Sequence, residues 1–236
     1  MEAPRVTPAL VAAAVLALSL LAAFLYWRHV WFFRNPPRQP PAAAGILSPA
    51  DGTVVYVKRV APGEDVVVIK EGLAAKVEDI LKQDEPAPKI VVGIFMSPFD
   101  VHYNRAPVTG RVSMIRHYPA EGENLYMGMM HLRTVLNWLP LYGGSPHIVQ
   151  NERTVTRFDG EYRGAPLPAY VVQIGSRGVN GIESHYAVGD TVERGAIFGM
   201  IRIGSQVDLI VPAREDLSIK VQPGDVVRAG ETILVQ

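Results

Sequence analysis

The hydrophobic pattern divides the chain at once. No charged residue occurs between Arg5 and Arg28, and residues 9–27 are almost wholly Ala, Leu, Val and Phe. A helix of about 20 residues spans the ~30 Å hydrocarbon core of a bilayer, so this run predicts one transmembrane helix. A cleaved signal peptide is the rival and should end in small residues at an A-x-A-like site. This run ends instead in Phe24, Leu25, Tyr26 and Trp27, followed by Trp31, Phe32 and Phe33. Those aromatics suit an interfacial belt and favour a retained anchor over residues 1–34. Residues 35–44, N-P-P-R-Q-P-P-A-A-A, predict a stiff linker that can be neither a helix nor a central strand. It keeps the following domain, 45–236, near the lipid surface.

Beyond the linker the apolar runs are short, rich in β-branched residues and separated by turn residues. They predict strands over 52–59, 65–70, 89–96, 110–115, 154–158, 169–175, 197–203, 207–211 and 232–235. Helical patterns are few: one over 71–83 and one over 124–141. The second carries three methionines and Trp138. It reads first as a core helix and second as a flexible apolar surface touching acyl chains. Two segments, 188–195 and 222–230, share the pattern x-G-D-x-V-x-x-(x)-G. They read either as hammerhead turns of a barrel–sandwich module or as ordinary Gly-Asp turns. The expected fold is mainly β (α+β), a barrel–sandwich-like domain with few helices behind one transmembrane helix.

Composition narrows the function. Lys plus Arg and Asp plus Glu each total 23, so no basic excess points to nucleic acid. The absence of cysteine removes disulfides, zinc–thiolate sites and a cysteine nucleophile. The six histidines form no H-x-H or H-E-x-x-H pattern, and no metal site is expected. No dinucleotide loop, Walker loop or G-x-S-x-G elbow occurs. Arg28, Arg34 and Arg38 follow the anchor, against Arg5 and the amino terminus before it, which places the C-terminal domain in the cytoplasm.

Three local sequences can carry chemistry: S-P-A-D-G at 48–52, M-S-P-F-D-V-H-Y-N-R-A-P at 96–107 and F-G-M-I-R-I-G-S-Q-V-D at 198–208. Each has an ordinary structural explanation. Asp51-Gly52 is a common turn pair, His102 could be a satisfied loop residue, and Gly204-Ser205 could be a bulge. Together with F-F-R-N-P-P-R at 32–38, N-E-R at 151–153 and V-E-R-G at 192–195, in this order and spacing, they resemble the phosphatidylserine decarboxylase proenzyme family in its short prokaryotic form. The match is poor over 118–148.

The resemblance implies a proenzyme cut at Gly204–Ser205 into 1–204 and 205–236, the two products remaining together. The Ser205 hydroxyl attacks the Gly204 carbonyl to give an ester. Elimination leaves dehydroalanine, which hydrolyses to a pyruvoyl group, the cofactor. Serine needs an adjacent base, and Asp51 and His102 match the family's assisting residues. Many bacterial relatives carry a second histidine where this chain has Arg105. Either His102 serves both cleavage and decarboxylation, or Asp51 acts with less help; the first is preferred. The pyruvoyl carbonyl then serves as the electron sink when carbon dioxide leaves, and His102 is the candidate proton donor. Arg105 either holds the substrate phosphate or carboxylate or forms a surface ion pair, and His185 is a second-rank candidate. The expected substrate is phosphatidylserine in the membrane, with a serine ether lipid as the close alternative. From a different class, a non-catalytic membrane-tethered adaptor would use the same repeats. Oligomeric state stays open.

Overall fold

The computed structural model describes residues 7–83, 86–177, 181–202 and 205–236. They fall into two compact units, Met1–Pro36 and Pro37–Gln236. In the first, helix α1 (Pro8–Tyr26) starts where Thr7 accepts a hydrogen bond from the Leu10 amide, with Pro8 in the first turn. It continues as a π-helical turn over Trp27–Trp31. Within these 24 residues an 18-residue window has a mean hydropathy of 2.5, and the helix is long and apolar enough to cross a membrane.

The second unit is mostly β, as expected. Its strands are β1 (Ile46–Leu47), β2 (Gly52–Val60), β3 (Asp65–Lys70), β4 (Leu73–Lys76), β5 (Lys89–Met96), β6 (Tyr103–Arg105), β7 (Gly110–Tyr118), β8 (Arg153–Tyr162), β9 (Ala165–Ile174), β10 (Ile182–Ser184), β11 (Thr191–Val192), β12 (Ile197–Ile201), β13 (Ser205–Pro212), β14 (Val226–Val227) and β15 (Ile233–Val235). Three short helices join them: α2 (Val77–Leu81), α3 (Gly128–Leu136) and α4 (His147–Gln150). An eight-stranded antiparallel sheet runs β11-β7-β8-β9-β13-β5-β2-β14. Strands β10-β12-β6 form a smaller sheet, and β1–β15 and β3–β4 form pairs.

Both faces of the large sheet are covered at β5, which explains why that strand reads as a nearly unbroken apolar run. Side chains alternate across a strand. On β13, Val207, Leu209 and Val211 join a core with Met96, Phe198 and Ile201 on one face. Ile210 joins Phe95, Tyr170 and residues of α2, α3 and α4 on the other. The odd-numbered face of β13, beginning with Ser205, therefore looks toward the smaller sheet.

The helix expected over 71–83 is cut to five residues. Gly72, with φ of +75°, closes a hairpin instead, and β4 pairs with the valine-rich β3. Cross-strand pairing of Ala74 and Ala75 with Val68 and Val67 overrides alanine's helix preference. The helix expected over 124–141 is confined to α3, because Asn137 takes the left-handed conformation that ends it. Residues 203 and 204, within the strand and cleavage site expected from sequence, lie outside the described residues.

Candidate functional site

Ser205 opens β13, opposite Met96, the last residue of β5. Its side chain is fully buried, and its Oγ has no hydrogen-bond partner among the described residues. A buried hydroxyl left unsatisfied costs about 1–3 kcal/mol, so its persistence here calls for a chemical reason. Gly204, the other half of the expected scissile bond, is outside the described residues.

The two upstream motifs converge on the same end of the sheet. Gly52 begins β2 with φ of +149°, and a Cβ there would lie 2.1 Å from the Phe95 carbonyl oxygen. That close approach of β2 to β5 requires glycine after Asp51. Asn104, on β6, ties the pieces together. Its amide donates to the Pro49 carbonyl at 3.3 Å and to Met96 Sδ at 3.7 Å, and its Oδ1 accepts from Gln173 at 2.8 Å. Gln173 lies opposite Val207 across the β9–β13 ladder. Thus Asn104 links the S-P-A-D-G turn, the residue facing Ser205 and the neighbour of the Ser205 strand. Sequence reading missed both Asn104 and Gln173; a polar residue inside an apolar strand run was the available signal for Gln173, and a place in the 96–107 motif was the signal for Asn104.

His102 is fully buried. Its carbonyl accepts from the Ile201 amide at 3.3 Å, four residues ahead of Ser205 in the chain. Its Nδ1 lies 2.9 Å from the Asp100 carbonyl oxygen. A carbonyl can only accept, so Nδ1 carries the proton and the neutral ring holds its lone pair on Nε2. Asp100 also accepts from the Ser97 amide at 2.7 Å, fixing the loop.

Asp51 has both oxygens engaged. Oδ2 pairs with Arg38 at 2.7 Å and Oδ1 accepts from the Ala229 amide at 2.7 Å. Burial pushes its carboxyl pKa up; the Ala229 amide and Arg38 pull it back, and Asp100 pushes it up. Arg38 also pairs with Glu231 at 3.0 Å. The proline-rich stretch carrying Arg38 is held along the domain, since Arg194 donates to the carbonyls of Pro41, Ala43 and Gly45. In the sequence Arg38 stood as a topological charge and as the end of the 32–38 motif, with no role assigned beside Asp51. Replacing it with glutamine removes a positive charge from Asp51, so the carboxyl pKa should rise further. Any step needing ionised Asp51 should then shift to higher pH, read as the pH profile of chain cleavage in the Arg38→Gln variant.

The two x-G-D-x-V segments are local repeats in space too. In each, the aspartate (Asp190, Asp225) accepts from an amide three residues earlier, at 2.7 and 2.9 Å. A two-residue strand follows, and the closing glycines Gly195 and Gly230 both have positive φ. These glycines abut, and Arg105 threads between them. Its Nη1 donates to the Gly195 carbonyl at 2.8 Å, and a Cβ on Gly230 would meet its Cδ at 2.8 Å. Burial lowers the Arg105 pKa, as does Arg38, against Asp51 and Glu231. His185 sits apart from the buried site. It is partly exposed, with Nε2 4.0 Å from Glu183 and its ring 6.4 Å from Tyr103.

The opposite face of β13 carries a buried network that sequence reading did not foresee. Tyr56 donates to Asp208 at 2.8 Å; Gln206 donates to Asp208 and Tyr56 at 2.8 and 2.7 Å; His147 lies 3.1 Å from Gln206 Oε1. Burial raises the Asp208 pKa to about 6 and lowers that of His147 to about 4. In an unfolded chain these groups titrate near 3.9 and 6.5. Asp208 therefore contributes stability that is full below about pH 4 and lost as pH rises through about 6. His147 contributes stability that is full above about pH 6.5 and lost as pH falls through about 4. Each effect is about 3 kcal/mol, and the two nearly cancel between. Asp208→Asn should leave a stability that rises from pH 4 to 6.5, and His147→Gln one that falls over the same span. Denaturant midpoints in a Ser205→Ala background measure both.

Two clefts flank the site. One of about 370 Å3 is lined by Gly52, Phe95, Ser97, Asp100, His131 and Val135. The other, about 190 Å3, lies between Phe95, Pro98, Tyr126, Met127 and Arg177. A larger cavity of about 610 Å3, lined by Val55, Leu139, Tyr142 and Pro223, contains no residue of the sequences at 48–52, 96–107 and 198–208.

Known proteins match the sequence along nearly the whole chain. The sequence model of the phosphatidylserine decarboxylase family covers residues 25–235. A Methanopyrus kandleri protein, named as a candidate archaetidylserine decarboxylase proenzyme, is 36% identical over 91% of this chain and 83% of its own. Proteins named phosphatidylserine decarboxylase proenzyme are similar in Salinibacter ruber (34%, over 93% of this chain and 78% of the relative) and Symbiobacterium thermophilum (32%, over 94% and 89%). The resemblance seen in the motifs thus holds over the length of the molecule: the chain belongs to the phosphatidylserine decarboxylase family and is a carboxy-lyase.

Proposed function

We propose that this chain cleaves itself at Gly204–Ser205, carries a pyruvoyl group at residue 205, and decarboxylates phosphatidylserine to phosphatidylethanolamine at the cell membrane. α1 is its anchor, the catalytic domain faces the cytoplasm, and the products 1–204 and 205–236 form a heterodimer. The observation that carries this reading is the fully buried Ser205 oxygen, without a hydrogen-bond partner among the described residues, at the strand end where the family's motifs meet.

In cleavage, His102 Nε2 accepts the Ser205 hydroxyl proton as Oγ adds to the Gly204 carbonyl carbon. Breaking the amide C–N bond returns that proton to the Ser205 nitrogen and leaves an ester. Loss of the Ser205 α-proton expels the Gly204 carboxylate and leaves dehydroalanine; its imine tautomer takes up water and releases ammonia, leaving the keto group. The buried surroundings of Ser205 fit such a group because, among the described residues, its Oγ makes no hydrogen bond that conversion would break. When formed, the pyruvoyl supplies a carbonyl electron sink for the departing carboxylate. His102 holds and returns the proton that replaces the carboxylate. Asp51 adds negative charge within electrostatic reach of Asp100, whose carbonyl orients His102. The Gly195 contact supports assigning Arg105 to the scaffold between the repeats, and the exposure of His185 supports a place outside the reaction.

Family membership removes the adaptor alternative. The name of the Methanopyrus relative keeps a serine ether lipid as the second substrate reading. Intact mass tests the proposal: the native protein should arrive as two chains, the smaller beginning at 205 and lacking an amine. Purified from its membrane, it should release carbon dioxide from phosphatidylserine, and parallel assay of an ether-linked serine lipid decides between substrates. One uninterrupted chain with an intact serine in the folded, membrane-bound protein would sink the reading.

A further inference from the structure

We infer that the outer face of α3 and the turn after it is a docking surface for an anionic phospholipid bilayer, set beside two clefts at the end of β5 where the motif loops meet. This rests on the proposed action on a membrane lipid.

Helix α3 is apolar on two sides. Met127 and Met130 point inward and are buried in the core with Phe95 and Ile148. On the other side Met129, Leu132 and Leu136 follow helical spacing and are exposed, and Val135 and Leu139 are 67% and 61% exposed. The core therefore explains only the inner stripe. A contiguous exposed patch of large apolar side chains marks a surface that something else covers.

Its charge names the occupant. No aspartate or glutamate occurs between Glu123 and Glu152. The cations at its rim stack on amphipathic aromatics: Arg133 lies 4.3 Å over Trp138, and Arg177 lies 5.6 Å over Tyr126 while reaching Glu123 at 3.7 Å. Aromatic rings with cations beside an apolar stripe suit the headgroup zone of a bilayer. A second copy of the chain fits poorly, because a two-fold interface sets the same patch against itself and would bring Arg133 toward Arg133 with no acid between them.

Its position gives the surface a use. Tyr126 and Met127 border the 190 Å3 cleft, and His131 and Val135 border the 370 Å3 cleft. Both clefts are lined by Phe95, on the face of β5 opposite Met96 and Ser205, and the 370 Å3 cleft also reaches Ser97 and Asp100 of the loop that carries His102. Phe99, 63% exposed, adds an apolar side chain at the second cleft. A lipid whose acyl chains stay in the bilayer could thus present its headgroup to this end of the sheet.

The chain has three tryptophans, so Trp27→Phe with Trp31→Phe leaves Trp138 as the sole reporter. The full chain should be placed in vesicles of phosphatidylglycerol and phosphatidylcholine carrying acyl-brominated lipid. Trp138 emission should be quenched by the bromines and protected severalfold from aqueous iodide. Emission open to iodide and untouched by bromolipid overturns the inference; so does protection from iodide without bromolipid quenching, which would mean a protein covers the face. Independently, Leu132→Glu with Leu136→Glu should lower the ratio of activity on vesicle phosphatidylserine to activity on a monomeric short-chain analogue by about tenfold. An unchanged ratio counts against it. If the parent decarboxylates neither lipid, the proposed function fails while the quenching result still decides the docking surface.

Discussion

Ser205→Ala is expected to yield a single 25.8 kDa chain that folds, inserts and does nothing. The change removes one oxygen from a fully buried site where that oxygen has no hydrogen-bond partner among the described residues. Deleting an unsatisfied buried hydroxyl should be neutral or slightly stabilising, so loss of function cannot be blamed on lost structure. Without a hydroxyl there is no intramolecular nucleophile for the Gly204 carbonyl, hence no ester, no elimination and no keto group. Decarboxylation should fall to background. Ser205→Cys keeps a nucleophile and should cleave, but a thioester leaves a different partition between elimination and hydrolysis, so less of the small chain should begin blocked. Denaturing gels and intact mass read both variants. A Ser205→Ala protein that still appears as two chains, or still releases carbon dioxide, contradicts the assignment.

The strand framework was legible because its cause is local. β3 and β5 match the expected 65–70 and 89–96, being valine- and isoleucine-rich runs bounded by turn residues. The segment 71–83 was not, because its alanines favour a helix locally and are claimed by β3 only once the hairpin closes at Gly72. The same division runs through the site. Asp51, His102 and Ser205 stand in recognisable motifs, and the structure brings their loops to one end of β5 and β13. Arg38, Asn104 and Gln173 act through partners 13 to 193 residues away, a relation no local pattern encodes. Asp208 was quoted within the cleavage motif, yet its burial against Tyr56 depends on β13 alternating its side chains between two covered faces.

The larger question left by the sequence is which residue serves as base now that Arg105 stands where many relatives carry a second histidine, and His102→Ala should answer it. The geometry supports a dual role for His102. Its Nδ1–H donates to the Asp100 carbonyl, which fixes the tautomer and leaves Nε2 to take a proton. That same bond is kept when Nε2 takes a proton, because Nδ1 donates in both forms of the ring. Asp51 is placed differently: Arg38 and the Ala229 amide occupy both its oxygens, whereas one ring nitrogen of His102 is held by a backbone carbonyl. Removing the imidazole should therefore slow cleavage by about 10² or more, and the fraction that does cleave should decarboxylate about 10²–10⁴ more slowly, the range for loss of a positioned acid–base group. Asp51→Asn should slow cleavage but reduce turnover of the cleaved form far less. Pulse-chase of chain cleavage, with carbon dioxide release normalised to the blocked small chain, separates the two steps. Cleavage of His102→Ala at the parent rate would hand the base to Asp51, and the Arg38 pair would then have to open before Ser205 could react.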